Sequence, residues 1–318
     1  MRLKPLLLGV VLVAFAAPAF AADRLVLALD WFVNPDHGPI VVAKEKGYFE
    51  RHGLDVEVVA PADPNDPPKL VAAGRADIAV DYQPQLHVQV AEGLPLVRIG
   101  TLIATPLNSL VVLADGPIHA VADLKGKSVG ISVAGFDDAL LGAMLEANGL
   151  KPDDVEIVNV NFSLSPSLLS GQVDAVIGAY RNFELNQMAI EGRPGRAFHV
   201  EEEGVPPYDE LVYAANADAI ADPAKLDAYR RFLVAVEEAT QWLLNHPDDA
   251  WEAFKAANPE LDDDLNARAW RDTLTRFALR PAALDHHRYD RFARFLRDKG
   301  VIKAVPPLDT YAVDLFAE

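Results

Sequence analysis

The sequence predicts an α/β protein of two lobes with a cleft between them and a two-stranded hinge. Three observations lead there. At 318 residues the chain exceeds what one hydrophobic core comfortably serves. Two units, each an apolar strand, a polar loop and a helix closed by glycine, occur in tandem at residues 25–47 and 127–149. Two apolar, extended stretches, Thr101 to Gly116 and Gly204 to Asn216, are long enough to cross from one unit to the other and back.

The first residues, Met1 to Ala21, combine Arg2 and Lys4 with an apolar run and the triplet Ala19-Phe20-Ala21, the pattern of a cleaved secretory leader. The run is too short for a membrane anchor, and no later segment is long and apolar enough to span a bilayer. Cysteine is absent, which excludes disulfides, thiolate metal sites, a cysteine nucleophile and a lipid-attachment cysteine. The expectation is a free periplasmic monomer. The formal charge is −18, and −20 once Arg2 and Lys4 leave with the leader. So acidic a chain does not suit nucleic acid or an anionic membrane as a partner.

Strand Leu25 to Leu29 is apolar, as a buried parallel strand should be. A polar loop with Trp31, Asn34 and His37 follows, then a helix capped by Asp36 or His37, with Pro39 in its first turn and Gly47 as its stop. Gly53 turns the chain into strand Leu54 to Val59, and Pro61 to Pro68 is a loop. Val71 to Val80 reads as a helix end, Gly74 and a strand running into Asp81-Tyr82-Gln83. The same pattern returns at Leu168 to Ile177, running into Gly178-Ala179-Tyr180-Arg181-Asn182, and in both copies a glycine stands three residues before an aspartate.

In the second unit, Lys127 to Val133 is a strand, Gly135-Phe136-Asp137-Asp138 a loop and Ala139 to Ala147 a helix. From Asp222 onward the pattern is helical, with further helices at Trp251 to Ala257, Asp262 to Phe277 and Asp285 to Lys299. Trp242, Trp251, Phe254, Trp270, Phe292 and Phe295 in these helices read as core. The expected lobes are residues 22–104 with 214–318, and residues 105–213, after a leader at 1–21.

The blocks LDWFVNPDHGPIVVAKEKGYFERHGLDVEVV, LVAAGRADIAVDYQ, ATPLNSLVVL, LLSGQVDAVIGAYRNFE and YDELV occur in this order. With them the chain resembles the pyrimidine-precursor-binding proteins of bacterial ABC importers. These form one superfamily with the eukaryotic thiamin-pyrimidine synthases and with sulfonate-binding proteins. The resemblance implies a type II periplasmic binding fold with a solute held between the lobes, a thiamin-pyrimidine precursor or related heterocycle, and an inner-membrane ABC permease as partner. The alternatives are another small solute, such as riboflavin, an aromatic acid, a sulfonate or nitrate, and a pyrimidine-synthase-like enzyme. No cofactor and no catalytic residue are expected. The resemblance places the site on Trp31, Asn34 and His37 of the first loop, on Tyr82 and Gln83, and on Tyr180, Arg181, Asn182 and Glu184. The first loop departs from the family's Trp-Thr-Pro-Asn-Thr-Asn-His-Thr-Gly: it keeps Trp, Asn and His but loses hydroxyls.

An amine-bearing pyrimidine asks for aromatic platforms and for amides or carboxylates at its edge. Trp31, Tyr82, Tyr180 and Tyr208 can supply the first, and Asn34, Gln83, Asn182, Glu184 and Glu210 the second; Asn108 and Phe136 complete the candidate set. Asp36, Asp137 and Asp138 stand where helix starts would otherwise attract an anion, which favours a neutral or amine-bearing heterocycle over an oxyanion. The synthases use a histidine of this loop together with a cysteine-rich iron site. With no cysteine available, His37 is expected to be a hydrogen-bonding wall or helix cap. His286 and His287 are adjacent, so on a helix they diverge and do not make a metal site.

Overall fold

The computed structural model describes residues 22–317; the expected leader lies outside the described residues. The chain order is β1 (Asp23–Ala28), α1 (Gly38–Glu45), α2 (Tyr48–Arg51), β2 (Leu54–Val59), α3 (Pro67–Ala72), β3 (Ile78–Asp81), α4 (Gln83–Ala91) and β4 (Leu96–Ile103). Then come β5 (Asn108–Leu113), β6 (Ser128–Ile131), α5 (Phe136–Ala147), β7 (Glu156–Asn159), α6 (Leu164–Ser170), β8 (Ala175–Tyr180), α7 (Glu184–Ile190), β9 (Gly195–His199) and β10 (Leu211–Asn216). Helices α8 (Pro223–Asn245), α9 (Pro247–Ala257), α10 (Asp264–Thr273) and α11 (His286–Asp298) finish it.

The strands make two five-stranded sheets, ordered β2-β1-β3-β10-β4 and β7-β6-β8-β5-β9. In each, three strands are parallel and the fourth runs antiparallel to its neighbours. That fourth strand, β5 or β10, is the one whose chain has just crossed from the other sheet. The stretches read as crossings are therefore partly strand, and residues 104–107 and 200–210 lie between the sheets. The ladder hydrogen bonds available on the sheets absorb the rest.

The repeated glycine and aspartate do one job in both sheets. Gly74 (φ +68°) and Gly171 (φ +76°) end α3 and α6 in the left-handed region. The aspartate that follows ties its strand to the parallel neighbour through its side chain. Asp77 accepts from the Val26 N–H at 2.8 Å, and Asp174 from the Ser128 N–H at 3.0 Å.

Several boundaries shift. Helix α5 starts at Phe136 rather than Ala139, because Asp138 accepts from the Gly135 N–H (2.8 Å) and closes the first turn earlier. Helix α10 covers only residues 264–273 of the expected 262–277, starting from Asp263, whose carboxylate accepts from the Asn266 N–H. Of the two caps read for α1, His37 holds the N-cap position, without a side-chain cap hydrogen bond. The short turn before it, Pro35–His37, is capped by Asn34, whose Oδ1 accepts from the Asp36 N–H at 2.8 Å.

Helices α8 and α9 pack on α1, and Phe49 stacks on Phe232 at 5.5 Å between centroids. Phe254, Trp270 and Phe292 are buried, while Trp242, Trp251 and Phe295 are half-buried against the same core. The terminal segment is held by Arg98, which is fully buried and donates to the carbonyls of Pro281, Ala282, Ala283 and Val313 and to Thr101 Oγ1. The two connectors are tied to each other by Glu210, which accepts from the N–H groups of Leu107 (2.5 Å) and Asn108 (2.9 Å).

Candidate ligand cleft

A cavity of about 490 Å³, its mouth included, lies where the carboxyl ends of the parallel strands of both sheets face each other. Open α/β sheets place ligands at such ends, where the loops leave the sheet. The first lobe contributes Asp30, Trp31, Asn34, Asp36 and Tyr82. From the second come Ser132, Val133, Phe136, Asp137, Leu164, Gly178, Tyr180, Phe183 and Glu184.

The first-lobe wall is a chain of hydrogen bonds. The Asn34 N–H approaches His37 Nδ1 at 3.3 Å, so Nδ1 is the acceptor and the ring proton sits on Nε2, 2.9 Å from Asp30 Oδ1. The Tyr82 hydroxyl donates to Asp30 Oδ2 at 2.9 Å. Both Asp30 oxygens are thus occupied, and Tyr82 is fixed with its ring stacked on Phe136 of the opposite lobe (4.9 Å, 6° between planes). At the rim, Trp31 meets Phe162 edge-on at 4.5 Å and Phe32 lies 6.2 Å from Phe183.

In the second lobe, Asp137 Oδ2 accepts from the N–H groups of Ser132 (2.9 Å) and Val133 (2.8 Å), while Oδ1 is buried with no partner among the described residues. Gly178 (φ +93°) permits this approach, since a Cβ there would stand 3.1 Å from Asp137 Oδ2. Glu184 Oε2 accepts from the Tyr180 N–H at 2.7 Å. The lobes are bridged by Asn182, whose Nδ2 lies 2.6 Å from Asp36 Oδ1 and 2.7 Å from Thr273 Oγ1.

Four carboxylates line this cavity and, among the described residues, no lysine or arginine does. Burial pushes the Asp36 carboxyl up to about 6, against the opposing pull of His37 and of the hydrogen bonds from Thr273 and Asn182. It likewise raises Asp137 and Glu184 to about 7 each, partly offset by their backbone hydrogen bonds. Arg181 is turned away, paired with Glu201 (2.7 Å) and donating to the carbonyls of Leu107 and Asn108.

Of the residues singled out in the sequence, Trp31, Asn34, Tyr82, Phe136, Tyr180 and Glu184 reach the cavity. The others stand behind it. His37 holds Asp30; Gln83 accepts from the Asp209 N–H (2.8 Å); Asn108 accepts from the Gly178 N–H (2.9 Å); Asn182 bridges the lobes. Tyr208 and Glu210, read as platform and edge, are fully buried away from the cavity, the Tyr208 hydroxyl donating to Glu210 at 3.2 Å. Glu210 is consumed by the connector amides, and burial pushes its carboxyl up to about 7. The reading of the sequence passed over Asp30, Ser132, Val133, Leu164, Gly178 and Phe183 and treated Asp36 and Asp137 as caps. A carboxylate directly after the apolar strand, as at Asp30, was the available signal.

The family model described as NMT1/THI5 like matches residues 34–250, more than half of the chain and most of this cleft. The chain belongs to the NMT1/THI5-like family. Among its relatives is a putative thiamine biosynthesis protein of Haemophilus influenzae, 55% identical over 94% of this chain and 94% of that protein. Another is a formylaminopyrimidine-binding protein of Halalkalibacterium halodurans, 34% identical over 80% of this chain and 77% of that one. A 4-amino-5-hydroxymethyl-2-methylpyrimidine phosphate synthase of Candida albicans is 28% identical over 79% and 76%. Among solved structures, a Candida albicans protein described as having the generic periplasmic binding protein fold superposes with a TM-score of 0.71 at 17% identity, over 93% of this chain and 97% of that one. This NMT1/THI5-like chain has the periplasmic-binding-protein fold.

Proposed function

We propose that the protein is a periplasmic solute-binding component of an ABC importer that binds a thiamin-pyrimidine precursor of the aminomethyl or hydroxymethyl type. The observation that carries this reading is the cavity itself: aromatic walls from both lobes, four carboxylates and no lining lysine or arginine. A pyrimidine with an exocyclic amine presents a flat apolar face to Trp31, Tyr82 and Tyr180 and N–H donors to the carboxylates. An oxyanion fares badly there. A unit negative charge about 4 Å from a single ionised carboxylate is opposed by roughly 4 kcal/mol at an effective dielectric constant near 20. The name of the Halalkalibacterium halodurans relative supports the pyrimidine.

Binding proceeds by closure of the lobes about residues 104–107 and 200–210, and the closed form is what the permease receives. The protein acts as an exported monomer, without cofactor. Against a synthase reading stands His37, whose two ring nitrogens are committed to the Asn34 N–H and to Asp30 behind the cavity wall. Calorimetric titration of ligand-free protein with thiamin-series pyrimidines, riboflavin, taurine and nitrate tests the proposal. Saturable, stoichiometric heat is expected from the pyrimidines. Heat from taurine or nitrate alone, or turnover of a bound pyrimidine, would overturn it.

A further inference from the structure

Asp36 belongs to the first lobe and Glu184 to the second, and both line the cavity while being 2% and 8% exposed. One oxygen of each is engaged: Asp36 Oδ1 by Asn182 and Thr273, Glu184 Oε2 by the Tyr180 N–H. The other two, Asp36 Oδ2 and Glu184 Oε1, meet no donor from any other described residue. Asp137 lines the same cavity with the Asn108 amide beside it. Each lobe therefore offers the cavity a carboxylate oxygen that no side chain of the other described residues engages. An N–H donor of a bound ligand can answer both.

Resting on the pyrimidine reading above, we propose that Asp36 and Glu184 form a clamp across the two lobes for a cationic alkylammonium arm of the ligand. An ammonium has three N–H donors and a full charge, which suits facing carboxylates; its hydrogen bonds to them are about twice as strong as neutral ones. A hydroxymethyl arm has one donor and no charge. A formylated amine keeps one N–H donor but carries no charge. The clamp also couples charge to closure. Bringing Asp36 and Glu184 together without a cation is opposed by like charge, and a cation between them reverses the sign.

The test compares the aminomethyl, hydroxymethyl and formylaminomethyl pyrimidines of the thiamin series by calorimetry at about pH 8, where an alkylammonium keeps its charge. The aminomethyl compound is expected to bind at least about tenfold more tightly than the other two. Asp36→Asn and Glu184→Gln should each bring that ratio near one, whatever either does to the affinity for all three compounds together. Titration at about pH 6.5 in two buffers of different ionisation heat adds a second readout. There burial holds Asp36 and Glu184 partly protonated, and a cation between them expels protons where a neutral ligand does not. The other titratable groups around the cavity are Asp30, His37, Tyr82, Asp137 and Tyr180.

Equal or reversed preference in the wild-type protein, a comparison needing no variant, overturns the clamp and leaves the pyrimidine reading standing. So does a ratio unchanged in both folded variants. Binding of none of the three compounds overturns both.

Discussion

Asn182→Ala should separate ligand affinity from folding. Asn182 is on the second lobe, and its Nδ2 reaches Asp36 Oδ1 (2.6 Å) and Thr273 Oγ1 (2.7 Å) on the first. A hydrogen bond to a charged group contributes about 1.5–3 kcal/mol and a neutral one about 0.5–1.5. Thr273 remains beside Asp36 at 2.9 Å and recovers part of this, so a net loss of about 2 kcal/mol is expected. At 1.4 kcal/mol per decade that is roughly 30-fold weaker binding. On the closure proposed above, this bridge forms only when the lobes come together. Urea unfolding without ligand should therefore move by no more than about 0.5 kcal/mol. The assay is calorimetric titration beside urea unfolding. Affinity within about threefold of wild type would refute the bridge's part in closure. A loss of about 2 kcal/mol in ligand-free unfolding would instead make it a permanent part of the fold.

Arg98→Met should cost about 3 kcal/mol or more in urea unfolding, because it strands the carbonyls of Pro281, Ala282, Ala283 and Val313 in a buried site; a loss below about 1 kcal/mol would refute that account. The pH dependence of ligand-free stability follows from the carboxyls of Asp36, Asp81, Asp137, Glu184 and Glu210, which burial raises to between about 6 and about 8. Raised carboxyls favour the folded state fully below their ordinary range near 4, and that contribution is lost as pH rises through about 6 to 8. The thermal midpoint should thus be higher at about pH 5.5 than at about pH 8.5, and the opposite order would refute the assignment.

Much of the architecture was legible because it rests on local, repeated chemistry. The glycine that ends a helix and the aspartate three residues on, at Gly74 and Asp77 and at Gly171 and Asp174, announced two equivalent parallel units before any contact was known. The helix starts were less legible. Asp36 and His37 both read as caps of α1; His37 holds that position, and Asp36 turns instead to Asn182 and Thr273, 146 and 237 residues away in sequence.

By itself the sequence determined the two-lobe α/β plan and several loops that line the cavity, since strand periodicity, glycine stops and the Trp31, Asn34 and Tyr180 motifs are short-range signals. Only the tertiary structure decided which acids and aromatics face the cavity. Tyr180 and Tyr208 look alike in sequence, yet Tyr208 is sealed against Phe292 and Glu210 is spent on the connector amides of Leu107 and Asn108. Asp36 and Glu184 line one cavity from different lobes because two separate sheets point their carboxyl ends at each other. Facing is settled by contacts made over a hundred residues apart, and no local pattern encodes such a contact.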